Sequence, residues 1–231
     1  MDFIISTSGT TGAPKAVIYS EKALFEVAEM DMIDLDLTPK SVIGADRFGP
    51  SGIRRIFDAR VSGASLCFYL GHEKQSLRGW IKERRLSHLS LLATTTRWLA
   101  SGIDKFPTVE VLEIGGEMVD WADIPIARDV FPNAKIFNRY ATSETQIICR
   151  KLIASDETGE GRCPVGKPVR GVSVEIDAPG GEIKVRSPMI CSGYFNDPEL
   201  TAIKFRDGWY YTGDLGHFLP NGDLMHLGRI L

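Results

Sequence analysis

Along the first 150 residues, apolar stretches of strand length alternate with stretches in which apolar residues recur at helical spacing. The strand-like runs are Phe3 to Ile5, Ser41 to Ala45, Ala64 to Leu70, Leu89 to Ala93, Val109 to Ile114 and Lys135 to Tyr140. Between them, Ser20 stands as an N-cap before Leu24, Val27, Ala28 and Met32, which share one helical face. Ile53, Ile56, Phe57 and Val61 mark a second helix. This rhythm predicts a largely parallel sheet covered by helices, with ligands bound beyond the carboxyl ends of the strands. After about residue 160 the helical periods vanish. Short strands at Val172 to Ile176, Glu182 to Val185 and Leu224 to His226 are divided by Pro179-Gly180-Gly181, Asn196-Asp197-Pro198 and Pro220-Asn221-Gly222-Asp223. Such Pro/Gly/Asn/Asp clusters are turn sequences. The expected fold class is therefore α/β: a mostly parallel, helix-covered sheet over residues 1–160, then a smaller antiparallel β subdomain over residues 161–231.

Composition narrows the function classes. The chain of 231 residues is 43% hydrophobic, enough to form a packed core. With 27 basic and 30 acidic residues its formal net charge is -3, so it lacks the basic excess of a nucleic-acid binder. No run reaches the roughly 18 apolar residues of a membrane span, and the N-terminus has no signal-peptide pattern, so a cytoplasmic location is expected and no membrane partner. The four cysteines form no C-x-x-C pair and are read as reduced, mostly buried thiols. The four histidines show no helical metal spacing.

The densest chemistry lies at Ser6-Thr7-Ser8-Gly9-Thr10-Thr11-Gly12-Ala13-Pro14-Lys15, directly after an apolar run. Glycine lets backbone N–H groups close round an anion, hydroxyls add donors, and a lysine adds charge. A flexible Ser/Thr/Gly loop has the same composition, but the order of residues suits polyphosphate. It is not the Walker pattern, because only Thr10 and Thr11 separate Gly9 from Gly12 and Ala13-Pro14 precede Lys15.

This run resembles the phosphate loop T-S-G-T-T-G-x-P-K-G of the adenylate-forming superfamily, which includes acyl-CoA synthetases, non-ribosomal peptide adenylation domains and luciferases. Ala16 replaces the last glycine. Later segments resemble the family's in order. Gly115-Gly116-Glu117 is similar to its G-G-E/A loop, and Asn138-Arg139-Tyr140-Ala141-Thr142-Ser143-Glu144 to N-x-Y-G-x-T-E. Val165-Gly166-Lys167-Pro168, Gly181-Glu182-Ile183 and Gly193-Tyr194 with Pro198-Glu199 resemble structural segments. Trp209-Tyr210-Tyr211-Thr212-Gly213-Asp214 resembles W-Y-x-T-G-D, and Gly228-Arg229 the start of G-R-x-D.

The resemblance implies that Thr7, Ser8, Gly9, Thr10, Thr11, Gly12 and Lys15 hold the ATP phosphates. It implies that Gly115, Gly116 and Glu117 line the adenine side and that Asn138 and Tyr140 belong to the nucleotide site, with Tyr140 stacking on the base. Thr142 joins that site, Ser143 keeps the hydroxyl that contacts the α-phosphate, and Glu144 holds Mg²⁺, a hard carboxylate for a hard cation. Asp214 accepts from both ribose hydroxyls and Arg229 reaches the ribose. Ala141, in place of glycine, crowds its turn. The implied reaction is that of a carboxylate-activating ligase. A small carboxylic acid and ATP give acyl-AMP and pyrophosphate, and the acyl group then passes to the thiol of CoA or of a phosphopantetheine-bearing acyl carrier protein. No acid aligns with the Asp by which amino-acid-activating members hold an ammonium; that position falls near Gly49 or Pro50, so a plain carboxylic acid is expected.

The family's upstream strands and its C-terminal domain beyond the hinge, with its catalytic lysine, have no counterpart in residues 1–231. The sequence-based expectation is therefore a core that is inactive or weak alone, marginally stable or self-associating, with a separate chain as one source of the missing domains. The alternative reading is a non-catalytic nucleotide- or partner-binding remnant of the same fold.

Overall fold

The computed structural model describes residues 1–7, 15–45, 50–71, 74–178 and 180–230. Strands β1 (Asp2–Thr7) and β2 (Lys15–Ser20) form an antiparallel pair in which Thr7 faces Lys15. The loop singled out for polyphosphate joins these two strands; Ser8 to Pro14 lie outside the described residues. The first apolar run thus belongs to a hairpin and not to the parallel sheet expected from the alternation. Helix α1 (Glu21–Asp34) follows at once, and the Ser20 hydroxyl accepts the Ala23 N–H at 3.2 Å as its cap.

Four β-α units then build the large sheet. They are β3 (Val42–Ala45) with α2 (Pro50–Ser62), β4 (Ser65–Phe68) with α3 (Lys74–Glu83), β5 (His88–Leu91) with α4 (Ala93–Ala100), and β6 (Val111–Gly115) with α5 (Asp123–Val130). Strands β7 (Lys135–Tyr140), β8 (Cys149–Ile153) and β9 (Lys167–Pro168) complete it. The order is β4-β3-β5-β6-β7-β8-β9, parallel from β4 to β7 and antiparallel at β8 and β9. One face packs Leu89, Leu91, Leu112, Ile114 and Ile136 against Ile124, Ala127 and Leu99 of the helices. The other packs Ile43, Val111 and Phe137 against Leu35 and Leu37.

Residues beyond 160 enter all three sheets. After β9 come β10 (Ser173–Asp177) and β11 (Glu182–Arg186), then β12 (Gly193–Tyr194), which pairs with β2. Helix α6 (Pro198–Lys204) leads to β13 (Phe205–Arg206), β14 (Trp209–Phe218) and β15 (Leu224–Arg229). Strands β10, β11, β13, β14 and β15 make an antiparallel five-stranded sheet. Helix α6 corrects the expectation that helices end near 160. Asn196-Asp197-Pro198 is the start of a helix, since the Asp197 carboxylate accepts the Leu200 N–H at 2.9 Å and Pro198 occupies the first turn. No helix among the described residues is long and apolar enough to cross a membrane.

The face foreseen for α2 is also corrected. Phe57 is buried, but Ile56 is 39% exposed while Arg54, Arg55 and Asp58 are buried. Charged partners on neighbouring elements draw that side of the helix inward.

Candidate functional site

Strands β3, β5, β6 and β7 all end along one edge of the large sheet, where a cleft of about 660 Å³ opens. Gly44 and Ala45, Ser90 and Leu91, Gly115, and Arg139 and Tyr140 form its floor from those carboxyl ends. Its size suits a small-molecule ligand. A Cβ on Gly115 would stand 2.4 Å from the Arg139 carbonyl oxygen, so β6 and β7 meet this closely only with glycine there. Gly116 follows at φ +81°, turning the chain along the cleft wall. Glu117 also lines the cleft, and its carboxylate accepts the Thr94 N–H in the first turn of α4.

Asp214 is the centre of one end. It sits on β14 directly across from Arg229 on β15, whose Nε is 3.0 Å from Asp214 Oδ1. The Tyr140 hydroxyl donates to Asp214 Oδ2 at 2.6 Å. His226 stacks on Tyr140 with ring centroids 4.8 Å apart, and its Nε2 stands 3.8 Å from Asp214 Oδ2 with no hydrogen-bond partner among the described residues. Burial pushes the Asp214 carboxyl up, but His226, Tyr140 and Arg229 outweigh it and hold the group below its ordinary value. Burial, followed by the charge of Asp214 and the hydrogen bond to it, pushes the Tyr140 hydroxyl well above its usual range.

Glu144 is the centre of the other end. Its Oε1 accepts the Tyr194 hydroxyl at 2.7 Å, and Lys15 Nζ lies 5.7 Å from the centre of the same tyrosine ring. The Ser143 carbonyl accepts the buried Tyr19 hydroxyl at 2.8 Å, which ties this turn to β2. The Thr142 hydroxyl accepts the Thr145 N–H at 3.2 Å and so closes the turn itself. Ala141 has no positive φ, so alanine replaces glycine here without backbone strain, contrary to expectation. Thr7, the last residue of β1, completes this wall. Ser8, Gly9, Thr10, Thr11 and Gly12 lie outside the described residues.

Asn138 is not among the cleft-lining residues. It is 1% exposed, and its amide donates to the carbonyls of Cys163 and Pro164 at 3.0 Å each, which fixes the chain crossing behind β7. Sequence reasoning also missed His226, Tyr194 and a buried ionic cluster beneath the cleft. In that cluster Glu113 of β6 meets Arg54 at 3.1 Å, Arg150 at 3.0 Å and Arg55. Asp31 of α1 meets Arg54 at 3.3 Å and also Arg150, and Asp58 meets Arg55 at 2.8 Å. Burial would raise the Glu113 carboxyl, but Arg150, Arg54, Arg55 and Arg139 hold it well below the carboxylate range. Asp58 behaves oppositely: burial and the Asp31 charge push it up to about 7 despite Arg55 and Arg54. The signal for this cluster was present as Glu113 inside the apolar run Val111 to Ile114, since a strand buried on both faces has no place for an unpaired acid.

The family described as AMP-binding enzyme matches residues 2–195. The 2-succinylbenzoate–CoA ligase of Bacillus licheniformis is 26% identical over 98% of this chain and 49% of its own length. Nonribosomal peptide synthetase 8 of Aspergillus fumigatus is 26% identical over 99% of this chain and 3% of its own. The chain thus spans about half the length of curated relatives it matches, or much less. Among solved structures, the O-succinylbenzoate coenzyme A synthetase of Bacillus subtilis, in complex with ATP and magnesium ion, superposes with a TM-score of 0.84 at 23% identity, over 98% of this chain and 49% of that one. At that identity the likeness is one of fold.

Proposed function

We propose, from the premise that this chain belongs to the family of AMP-binding enzymes, that its cleft binds ATP and a carboxylic acid and joins them as an acyl-adenylate. The observation that carries this reading is the convergence of Asp214 with Tyr140 and Arg229 at one end of the cleft and of Glu144 with Lys15 at the other. The anionic Asp214, oriented by Tyr140, suits two ribose hydroxyl donors. Tyr140 and the Gly115-Gly116-Glu117 segment take the base. Thr7, Lys15 and the loop between them take the phosphates, with Thr142 and Ser143 beside the α-phosphate. Asn138 acts by holding the backbone behind the site.

In the first half-reaction a carboxylate oxygen attacks the α-phosphorus. The new O–P bond forms as the bond to the β-phosphate breaks, and its electron pair leaves on pyrophosphate. Two anions approach, so preorganised cations carry the catalysis. Mg²⁺ is ordinarily held by one or two carboxylates plus substrate phosphates. Glu144, oriented by Tyr194, fits that role; no cluster of three or more acidic, His or Cys ligands occurs among the described residues. When bound, the ion would supply charge neutralisation at the phosphates. A thiol of CoA or of a carrier protein then attacks the acyl carbon and AMP departs.

The test is ATP–pyrophosphate exchange across a panel of acids. The account expects exchange that depends on the acid and is lowered about 10²-fold or more in Glu144→Gln. ATP binding with no exchange for any acid would favour a non-catalytic remnant.

A further inference from the structure

Within the cleft, the guanidinium of Arg139 meets Glu113 only at long range and hydrogen-bonds no carboxylate among the described residues. Adjacent residues on a strand point to opposite faces, so β7 sends Tyr140 toward Asp214 and His226 and sends Arg139 toward α2. On that second side the cleft is walled by Ser51, Gly52, Arg54, Arg55 and Ser90. The Arg139 side chain is 10% exposed, and its Nε is buried without a partner among the described residues. Among the described residues, the carboxylate oxygen it meets is Glu113 Oε2, 3.8 Å from Nη1. That oxygen already accepts from Arg54 at 3.1 Å, from Ser90 at 2.8 Å and from Arg55. Arg150, directly across the antiparallel β7–β8 ladder, adds a like charge to which Arg139 is opposed. Arg54, Arg55 and Arg150 each contact two or more acids; Arg139 hydrogen-bonds none among the described residues. Burial and the charges of Arg54, Arg55 and Arg150 push its guanidinium down to about 10, against the pull of Glu113.

A guanidinium is a two-pronged donor matched to a carboxylate, and a desolvated one without an acceptor is an open binding site for an anion. The nucleotide is assigned to the Tyr140 side, so the partner of Arg139 belongs to the other substrate. We propose that the acid activated here carries a second carboxylate, and that Arg139 binds it on the α2 side of the cleft. This rests on the acid-activation reading above. The carboxylate that attacks ATP stays at the strand ends, and the distal one neutralises Arg139. An α-amino acid would bring its ammonium toward a field of guanidinium groups and is disfavoured.

The test compares acids of equal length in pairs, from butyrate with succinate to octanoate with suberate. Affinities for each acid and, separately, for ATP are measured by calorimetry on the full chain, beside Arg139→Gln and Arg139→Lys. Acid-dependent pyrophosphate exchange is followed in parallel. Wild type should favour at least one dicarboxylate about tenfold or more over its monocarboxylate. Arg139→Gln should abolish that preference while affinities for monocarboxylates and ATP stay within about twofold, and Arg139→Lys should restore part of it. Because the Arg139 side chain makes no hydrogen bond among the described residues, Arg139→Gln should melt no lower than wild type, so loss of preference without loss of stability separates binding from structure. A wild type that prefers monocarboxylates, or an Arg139→Gln that keeps the dicarboxylate preference, overturns the inference while ATP binding leaves the adenylation reading intact. Failure of ATP itself to bind overturns both.

Discussion

At the residue scale, the titrating group with the clearest consequence is Asp58. Its carboxyl is pushed up to about 7 by burial and by Asp31, and its Oδ1 has no hydrogen-bond partner among the described residues. In the unfolded chain an aspartate titrates near 3.9. Between those two values the folded state holds a proton that the unfolded state releases. The contribution of Asp58 to stability is therefore full below about pH 4 and is lost as pH rises through about 7. The difference in unfolding free energy between wild type and Asp58→Asn, from urea titrations at several pH values, should fall across that window and flatten above it. A difference that is flat, or that rises with pH, refutes the assignment. Residue identities were unevenly legible in the sequence. Asp214, Glu144 and Lys15 stood out because they sit within ordered motifs. Arg139 sat inside the same motif at a variable position, and only the alternation along β7 together with the saturation of Glu113 reveals what it faces. Asn138 was read as a nucleotide contact, yet both of its donor bonds go to main-chain carbonyls.

At the element scale, α2 and β6 explain what the hydrophobic pattern could and could not convey. The apolar spacing of Ile53, Ile56, Phe57 and Val61 located a helix correctly. It misjudged the buried side because Arg54 and Arg55 find opposite charges on β6 and α1, and Asp58 pairs with Arg55 within the helix. Pattern reading assumes that charge lies outside, and that holds only where no buried partner waits. Strands β2 and β8 were missed because their sequences, Lys15–Ser20 and Cys149–Ile153, mix charges with apolar residues on short segments. Glu113 anchors the arrangement with three close guanidinium partners. Glu113→Gln leaves them without their counter-charge in a dry interior. It should destabilise the protein by about 3–5 kcal/mol, as measured by chemical denaturation. A loss below about 1 kcal/mol would mean that Asp31 and Asp58 alone satisfy the arginines.

At the scale of the whole molecule, the three sheets have one place in common. The hairpin β1–β2, the strand ends of the large sheet and the β14–β15 pair of the five-stranded sheet all open on the same cleft. The α/β class and the mostly parallel sheet were legible from the alternation of elements. The three-sheet division was not, because β9 and β12 each pair over only two residues. Contacts such as Tyr140 to Asp214, 74 residues apart, leave no local trace in a sequence. That bond is also where the proposal is most exposed, since the proposal makes Asp214, oriented by Tyr140, the ribose anchor of an adenine nucleotide. The direct measurement is calorimetric titration of ATP and of 2′,3′-dideoxy-ATP into wild type and into Asp214→Asn. The account predicts that wild type favours ATP about tenfold, the worth of hydrogen bonds to a charged acceptor, and that Asp214→Asn loses most of this preference. Equal affinity of wild type for both nucleotides, or a preference that survives in Asp214→Asn, would contradict it.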